Sequence, residues 1–472
     1  MTHPDAVVIG SGPNGLAAAI TLARAGRSVM VLEAEQTVGG GVRSAELTLP
    51  GFLHDICSTV YPLAAASPFF RGLELERYGL EWIQPPAALA HPFDGGTAIL
   101  LRPSMEATAA QLGADARAYR ALMEDLGALW PRIAESVLGP LAWPAEPAAL
   151  ARFAVLALQP ATWLARMRFR GPRARALIAG LAAHAMMPLE RPLTAGVGLV
   201  LGLAAHQVGW PLARGGAQQL AAALARCLEA HGGTVVTGAR VRSLDELPRS
   251  RAVLCDLAPR PFLEIAGARL PESYRRRLAR YRLGMGVYKV DWALAAPIPW
   301  AAAECRQAAT VHLGGGLEEI ARSEREVFAG RHPGRPFIIL VQPTLFDPGR
   351  APEGRHTAWA YCHVPNASPH DRLQQIENEI ERFAPGFRER VLARHLMSPA
   401  DFERHNPNFA GGDIGAGRMD LRQSFLRPTW RRYTTPLRGL YLCSAATPPG
   451  PGVHGMCGYF AARQALQEVL RD

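Results

Sequence analysis

Apolar positions in this chain change rhythm at a few glycine-rich turns. A short apolar run, Ala6 to Ile9, meets Gly10, Gly12 and Gly15, and the residues on to Arg24 carry the Ala/Leu/Ile pattern of a buried helix. This reads as strand, tight turn, helix. A second apolar run, Ser28 to Leu32, ends on Glu33, where a dinucleotide fold sets the carboxylate that holds a ribose hydroxyl pair. Gly10 turns the chain off the strand, Gly12 admits the pyrophosphate, and Gly15 lets helix and sheet pack closely. The helix N-terminus opens at Pro13-Asn14 and presents free N–H groups and a positive dipole end. Glu33, followed by Ala34, favours an unphosphorylated ribose over one that Arg would hold.

A second glycine turn follows at Gly39-Gly40-Gly41-Val42-Arg43-Ser44. Its backbone at Gly40, Gly41 and Val42 is expected to close over the cofactor, with Arg43 on a phosphate oxygen; a surface loop with a solvated Arg is the plainer alternative. Asp55 reads as a structural cap, Cys57 as a packed small hydrophobe, and Tyr61 as a ring-wall residue. From about Leu80 short strands appear, including Thr97 to Leu101, then helices from Ser104 to Trp130. The Ala- and Leu-rich region from Pro147 to Trp210 predicts a helical cap.

A helix ending at Ala230 is followed by predicted strands at Thr234 to Thr237, Arg240 to Leu244 and Ala252 to Leu257. Strand-like alternation at Met285 to Leu294, Phe337 to Val341 and Thr357 to His363 predicts a second sheet, and Asp371 to Phe383 a helix. Asn406 to Gly417 is a glycine-rich loop in which Asp413 reads as a turn residue. The end of the chain repeats the opening grammar. A buried-strand pattern, Gly439 to Ser444, leads through a loop holding Ala446, Gly452, Val453, His454 and Gly455 to a helix from Met456 to Leu470. That loop again turns backbone N–H groups toward an electron-rich partner.

At 472 residues the chain has room for two or three domains. The net charge is +10, but its arginines are scattered, so nucleic acid is not expected as a partner. Seven cysteines without a CxxC pair exclude a zinc site and a redox disulfide and fit a reducing compartment. No metal ligands are expected. The start MTHPD lacks a signal pattern, so a cytoplasmic protein, soluble or membrane-associated, is expected. Arg166, Arg168, Arg170, Arg173 and Arg175 crowd a segment with Trp163, Met167 and Phe169. That mix suits a helix resting on a membrane surface, and equally a solvated turn between core helices.

VVIGSGPNGLAAA with Glu33, GGGVRS, ARGGAQQLAAAL, YKVDWAL and LYLCSAATPPGPGVHGMCGYFAAR together resemble the phytoene desaturase-related FAD-dependent oxidoreductases of the amine oxidase-like flavoprotein group. The resemblance spans essentially the whole chain. It implies a Rossmann-like α/β FAD domain assembled from residues 1–80, 212–284 and 434–472. Residues 81–211 and 285–433 would form an α+β substrate domain with the helical cap. It places Gly10, Gly12, Gly15 and Glu33 on the ADP half, Val241 in a strand beside adenine, and the turn from Gly452 to Gly458 at the flavin ring. Two departures stand out: Gly41 follows the paired glycines where many relatives have Arg, and Ser444-Ala445 replaces a Gly-Asp pair.

Lys289 is the only lysine in the chain. Amine oxidase-like relatives carry a lysine on the matching strand near the reactive flavin nitrogen, and a desolvated lysine, unlike arginine, releases a proton near neutrality. The alternative is a strand lysine whose stem packs while its head reaches water. His454 is a proton-relay candidate, with a structural hydrogen bond to its own loop as the alternative. Tyr459 is a second ring-wall candidate. The implied activity is hydride transfer from an apolar, isoprenoid- or lipid-like substrate to flavin. A redox-neutral double-bond isomerase, an amine oxidase-like enzyme and a non-catalytic flavin-bound protein stay open, and oligomeric state is undetermined.

Overall fold

The run Ala6–Ile9 has no polar side to offer water, and in the computed structural model it lies fully buried between two parallel neighbours. The structure describes residues 3–471; Met1 and Thr2 of the MTHPD start, and Asp472, lie outside the described residues. In chain order the strands of the two large sheets are β1 (Ala6–Ile9), β2 (Val29–Leu32), β3 (Ala87–Phe93), β4 (Thr97–Leu101), β5 (Thr234–Val236) and β6 (Ala252–Cys255). They continue with β7 (Gly286–Leu294), β8 (Ala308–Leu313), β9 (Ile338–Val341), β10 (His356–Val364), β11 (Val391–Met397) and β12 (Leu440–Leu442). The first sheet runs β12-β6-β1-β2-β5, all parallel, with Ala6 registered between Ala252 and Val29. The second runs β11-β7-β10-β9-β8-β3-β4 and is mostly antiparallel. The fold class is thus α/β with a Rossmann-like sheet, as the sequence predicts.

Helices α1 (Pro13–Arg24), α2 (Ala116–Val137), α3 (Pro147–Ala157), α4 (Ala161–Arg168), α5 (Pro172–Ala183), α6 (Thr194–Gln207), α7 (Ala217–Ala230) and α8 (Met456–Glu468) place the site. The first and last of these pack side by side over the parallel sheet. Their contact needs glycine at position 458, where a Cβ would collide with the Asn14 carbonyl oxygen. The cap is α2 to α6. Its α6 is apolar all round and packs against α5 so closely that a Cβ on Gly198 would stand 3.1 Å from the Ala182 nitrogen. Among the described residues no single helix is long and apolar enough to cross a membrane; α3 and α4 have the length and composition together but meet at a 93° bend.

Three sequence readings are corrected. Arg240 to Leu244 is not a strand: Gly238 N and Ala239 N bond to the Glu35 and Glu33 carbonyls at 2.8 and 2.7 Å, and the chain then leaves the sheet. The exposed Arg240 and Arg242 gave the segment a strand-like alternation, but among the described residues no strand pairs beyond β5. The helical stretch from Ser104 is broken at Gly113, where φ is +57°, and resumes as α2, which continues past Trp130 through Pro131. Strands β8 and β11 complete the second sheet in stretches the pattern left unassigned, whereas β3 falls among the short strands expected from about Leu80.

Candidate functional site

The C-terminal ends of β1, β2 and β6, the cap and one face of the second sheet enclose a single cavity of about 880 Å³. Parallel strands deliver ligands to this end of a sheet because the strand order reverses there. Gly10, Gly12, Pro13, Asn14, Glu33, Ala34, Gly40, Gly41, Arg43, Val241, Gly452, Val453 and His454 all line it. Five other cofactor-binding candidates do not. Gly15 lies beneath the turn, where a Cβ would run into the Gly10 carbonyl oxygen. Val42, Ala446 and Met456 are buried behind the walls, and Gly455 packs on Phe70. Their positions explain why the turns hold their shape; the lining itself is made by their neighbours.

At the nucleotide end, Glu33 accepts from Ser11 N at 2.9 Å, Ser11 Oγ at 2.5 Å, Glu35 N at 2.9 Å and Arg43 Nη2 at 3.0 Å. Burial opposes its ionisation, but these bonds outweigh it and hold its carboxyl below the usual range. Arg43 also donates to the Thr37 carbonyl at 2.7 Å, so its guanidinium is directed at Glu33 and the loop instead of a phosphate position. Sequence reasoning missed Asp256, which follows β6, lines the cavity and accepts from Gly15 N at 2.9 Å. Burial, reinforced by Glu33 and opposed by the Gly15 amide, pushes its carboxyl up to about 7. An acid at the C-terminal end of a predicted parallel strand was the available signal.

His454 is not a free proton relay. Its Nδ1 accepts from Met456 N at 3.1 Å and its Nε2 faces the Gly450 carbonyl at 3.2 Å, so both ring nitrogens clamp the loop. Burial lowers its pKa to about 4, keeping it neutral. Lys289 does not reach water. It is buried on β7, ion-paired with Asp291, and donates to the Asp55 carbonyl at 3.1 Å. It does not line the cavity; its Nζ stands 5.3 Å from the ring centre of Trp359, which does.

Asp55 caps α7 through Ala217 N at 2.7 Å and pairs with buried Arg350 at 2.5 Å, the structural role its sequence context predicts. Asp413 takes three amides, Gly284, Gly415 and Gly417, at 2.6–2.9 Å. Tyr61 lines the cavity, whereas Tyr459 packs on Phe69 and Phe460 outside it. Cys57 lines it as a thiol, its pKa pushed to about 11 by burial. Among the described residues no group of three His, Cys, Asp or Glu is placed to hold a metal.

The rest of the lining forms a chamber. The cap supplies Phe153, Ala157, Leu193, Val197, Val200 and Leu201, and the second sheet supplies Thr310, Ile339, Val341, Trp359 and Tyr361. Among the described residues no carboxylate comes from either of these walls.

Residues 14–257 match the family model described as flavin containing amine oxidoreductase. The hydroxyneurosporene desaturase of Cereibacter sphaeroides is 34% identical, over 99% of this chain and 98% of its own. The rat protein named pyridine nucleotide-disulfide oxidoreductase domain-containing protein 2 is 29% identical, over 99% of this chain and 93% of its own. In fold the chain is similar to putrescine oxidase, with a TM-score of 0.63 at 18% identity and full coverage of both chains.

The cofactor the family implies is FAD, and the residues fit it. Gly12 leaves the N-terminus of α1 without a side-chain cap, and the Asn14 Oδ1 beside it is buried with no partner among the described residues. The backbones of Gly12 and Gly40 approach so closely that a Cβ on Gly40 would stand 3.1 Å from the Gly12 Cα. With more than half of the chain matched and a full-length relative above 30% identity, the chain belongs to the flavin containing amine oxidoreductase family, among its phytoene desaturase-related members, and is an FAD-dependent oxidoreductase.

Proposed function

We propose that the protein dehydrogenates an extended apolar substrate, isoprenoid- or lipid-like, held in the chamber between the cap and the second sheet. The observation that carries this is the chamber's composition: aliphatic and aromatic walls with no carboxylate from either side to pair an ammonium group. FAD, when bound, supplies the hydride acceptor. The protein's part is to hold the nucleotide with Gly12, Asn14, Gly40, Glu33 and Val241, and to face the chamber with the loop from Ser444 to His454. It also excludes water behind Phe153, Val200, Leu201 and Trp210. Lys289 acts as a positioning residue: its buried pair with Asp291 and its bond to the Asp55 carbonyl tie β7 to the strand that leads into Cys57.

The cap carries exposed apolar side chains: Trp143 is 90% exposed, Val155 and Met167 are each 67% exposed, and Trp163 and Arg166, Arg168 and Arg170 are exposed as well. The cap's inner side, at Phe153 and Ala157, lines the chamber. We propose that these outer side chains rest on an anionic lipid surface from which the substrate enters. The reading is tested by anaerobic mixing of FAD-loaded protein with isoprenoid hydrocarbons, fatty acyl compounds and primary amines. Flavin bleaching by the apolar compounds is expected; bleaching by amines alone overturns it.

A further inference from the structure

One stretch of the chamber wall departs from its apolar composition. On β8, β9 and β10, Thr310, Val341 and Trp359 stand in one row, and His312, Ile339 and Tyr361 in the next. All six share a face of the sheet, since directly paired residues and alternate residues project together. All of them except His312 line the cavity. His312 is instead covered by His184, the residue that ends α5, whose Nε2 lies 3.0 Å from the His312 Nε2. Both His184 and Thr310 line the cavity; Thr310 is 2% exposed, and no protein group among the described residues bonds its buried hydroxyl.

The histidine pair fixes a direction. An N–H···N bond needs one donor and one acceptor. If His184 donated, His312 would carry its proton on Nδ1, an N–H buried with no acceptor among the described residues. The reverse arrangement leaves only a bare lone pair there, which costs less than an orphaned donor. So His312 donates from Nε2, and His184 keeps its proton on Nδ1, the nitrogen His312 does not engage. Burial drives His184 down to about 3 and holds His312 well below the usual imidazole range, so the pair is neutral. The fold makes room for this arrangement: a Cβ on Gly180 of α5 would stand 2.7 Å from the His312 Nδ1. A hydroxyl and an imidazole N–H thus sit in a wall where Val and Phe would pack as well, and each costs desolvation unless something bonds it.

We propose that His184 and Thr310 form a subsite for an oxygen function, a hydroxyl or a carbonyl, carried by the otherwise apolar substrate. Its oxygen accepts from His184 Nδ1–H and exchanges a hydrogen bond with the Thr310 hydroxyl. The proposal rests on the chamber being the substrate site. A neutral donor pair of this kind does not select amines or carboxylates.

Headspace partitioning over FAD-loaded protein measures binding of 1-decene, decan-2-ol and decan-2-one without turnover. In Thr310→Val, which keeps the side-chain shape, and in His184→Phe, affinity for the oxygenated probes is expected to fall about fivefold relative to 1-decene, the effect of one net hydrogen bond. A loss shared by alcohol and ketone assigns an accepting oxygen; a loss for the alcohol alone assigns a hydroxyl that donates to Thr310. Affinities that move together for all three probes, or not at all, overturn the subsite while leaving the chamber intact. No binding of any probe to the wild type overturns the chamber reading and the subsite with it.

Discussion

Asp256 offers the sharpest handle on the nucleotide end. A Cβ at Gly12 would collide with its Oδ2, so the carboxyl lies directly under the turn that admits the pyrophosphate, near the ionised Glu33. Its folded pKa of about 7 lies above the ordinary 3.8. Folding therefore favours the protonated form. That stability is fully present below the ordinary carboxylate value and is lost as the pH rises to 7. The limit is about 4 kcal/mol, from 1.36 kcal/mol per pH unit over this interval, and water in the open cavity lowers it.

Asp256→Asn keeps the acceptor for Gly15 N and removes the titration. Urea unfolding of the apoprotein should show the variant matching wild type near pH 4 and exceeding it by a few kcal/mol at pH 8. FAD adds two phosphate charges, so wild-type affinity, read by flavin fluorescence, should fall by up to about tenfold per pH unit above 7, while the variant's stays flat. Parallel pH profiles for the two proteins in both assays would refute the reasoning.

Lys289→Met leaves Asp291 buried without its ion pair and should lose about 3–5 kcal/mol in denaturant unfolding, whereas Lys289→Met/Asp291→Leu should regain most of it. Stability unchanged in the single variant, with flavin reduction slowed, would move Lys289 from positioning to chemistry. Gly15→Ala drives a methyl into the Gly10 carbonyl and should cost about 1–3 kcal/mol and the bound flavin, checked by thermal unfolding and the visible spectrum of the purified protein. Replacing Trp143 and Trp163 together by Ser should cut co-sedimentation with anionic vesicles about tenfold or more without altering FAD content; unchanged sedimentation would remove the lipid surface from the account.

Most of the nucleotide half was legible because its signals are local. The turn at Gly10 to Gly15 and the acidic end of β2 depend on residues adjacent in sequence, and the structure gathers them on one cavity. What escaped depends on distant partners. Nothing near Arg43 indicates that Glu33 takes its guanidinium, or that Met456 and Gly450 occupy both nitrogens of His454. Val241 lines the cavity without the strand the alternation suggested, because a sheet edge is set by where pairing stops. Thr310 and His184 lie 126 positions apart and share a wall only because α5 folds over β8.

The central claim, that an apolar substrate loses hydride in this chamber, is met most directly by a single anaerobic turnover. FAD-loaded protein is mixed with an isoprenoid alcohol, the flavin absorbance is followed, and the product is weighed by mass spectrometry. The account predicts one equivalent of product lighter by two hydrogens for each flavin bleached. A product of unchanged mass with the flavin still oxidised would contradict it.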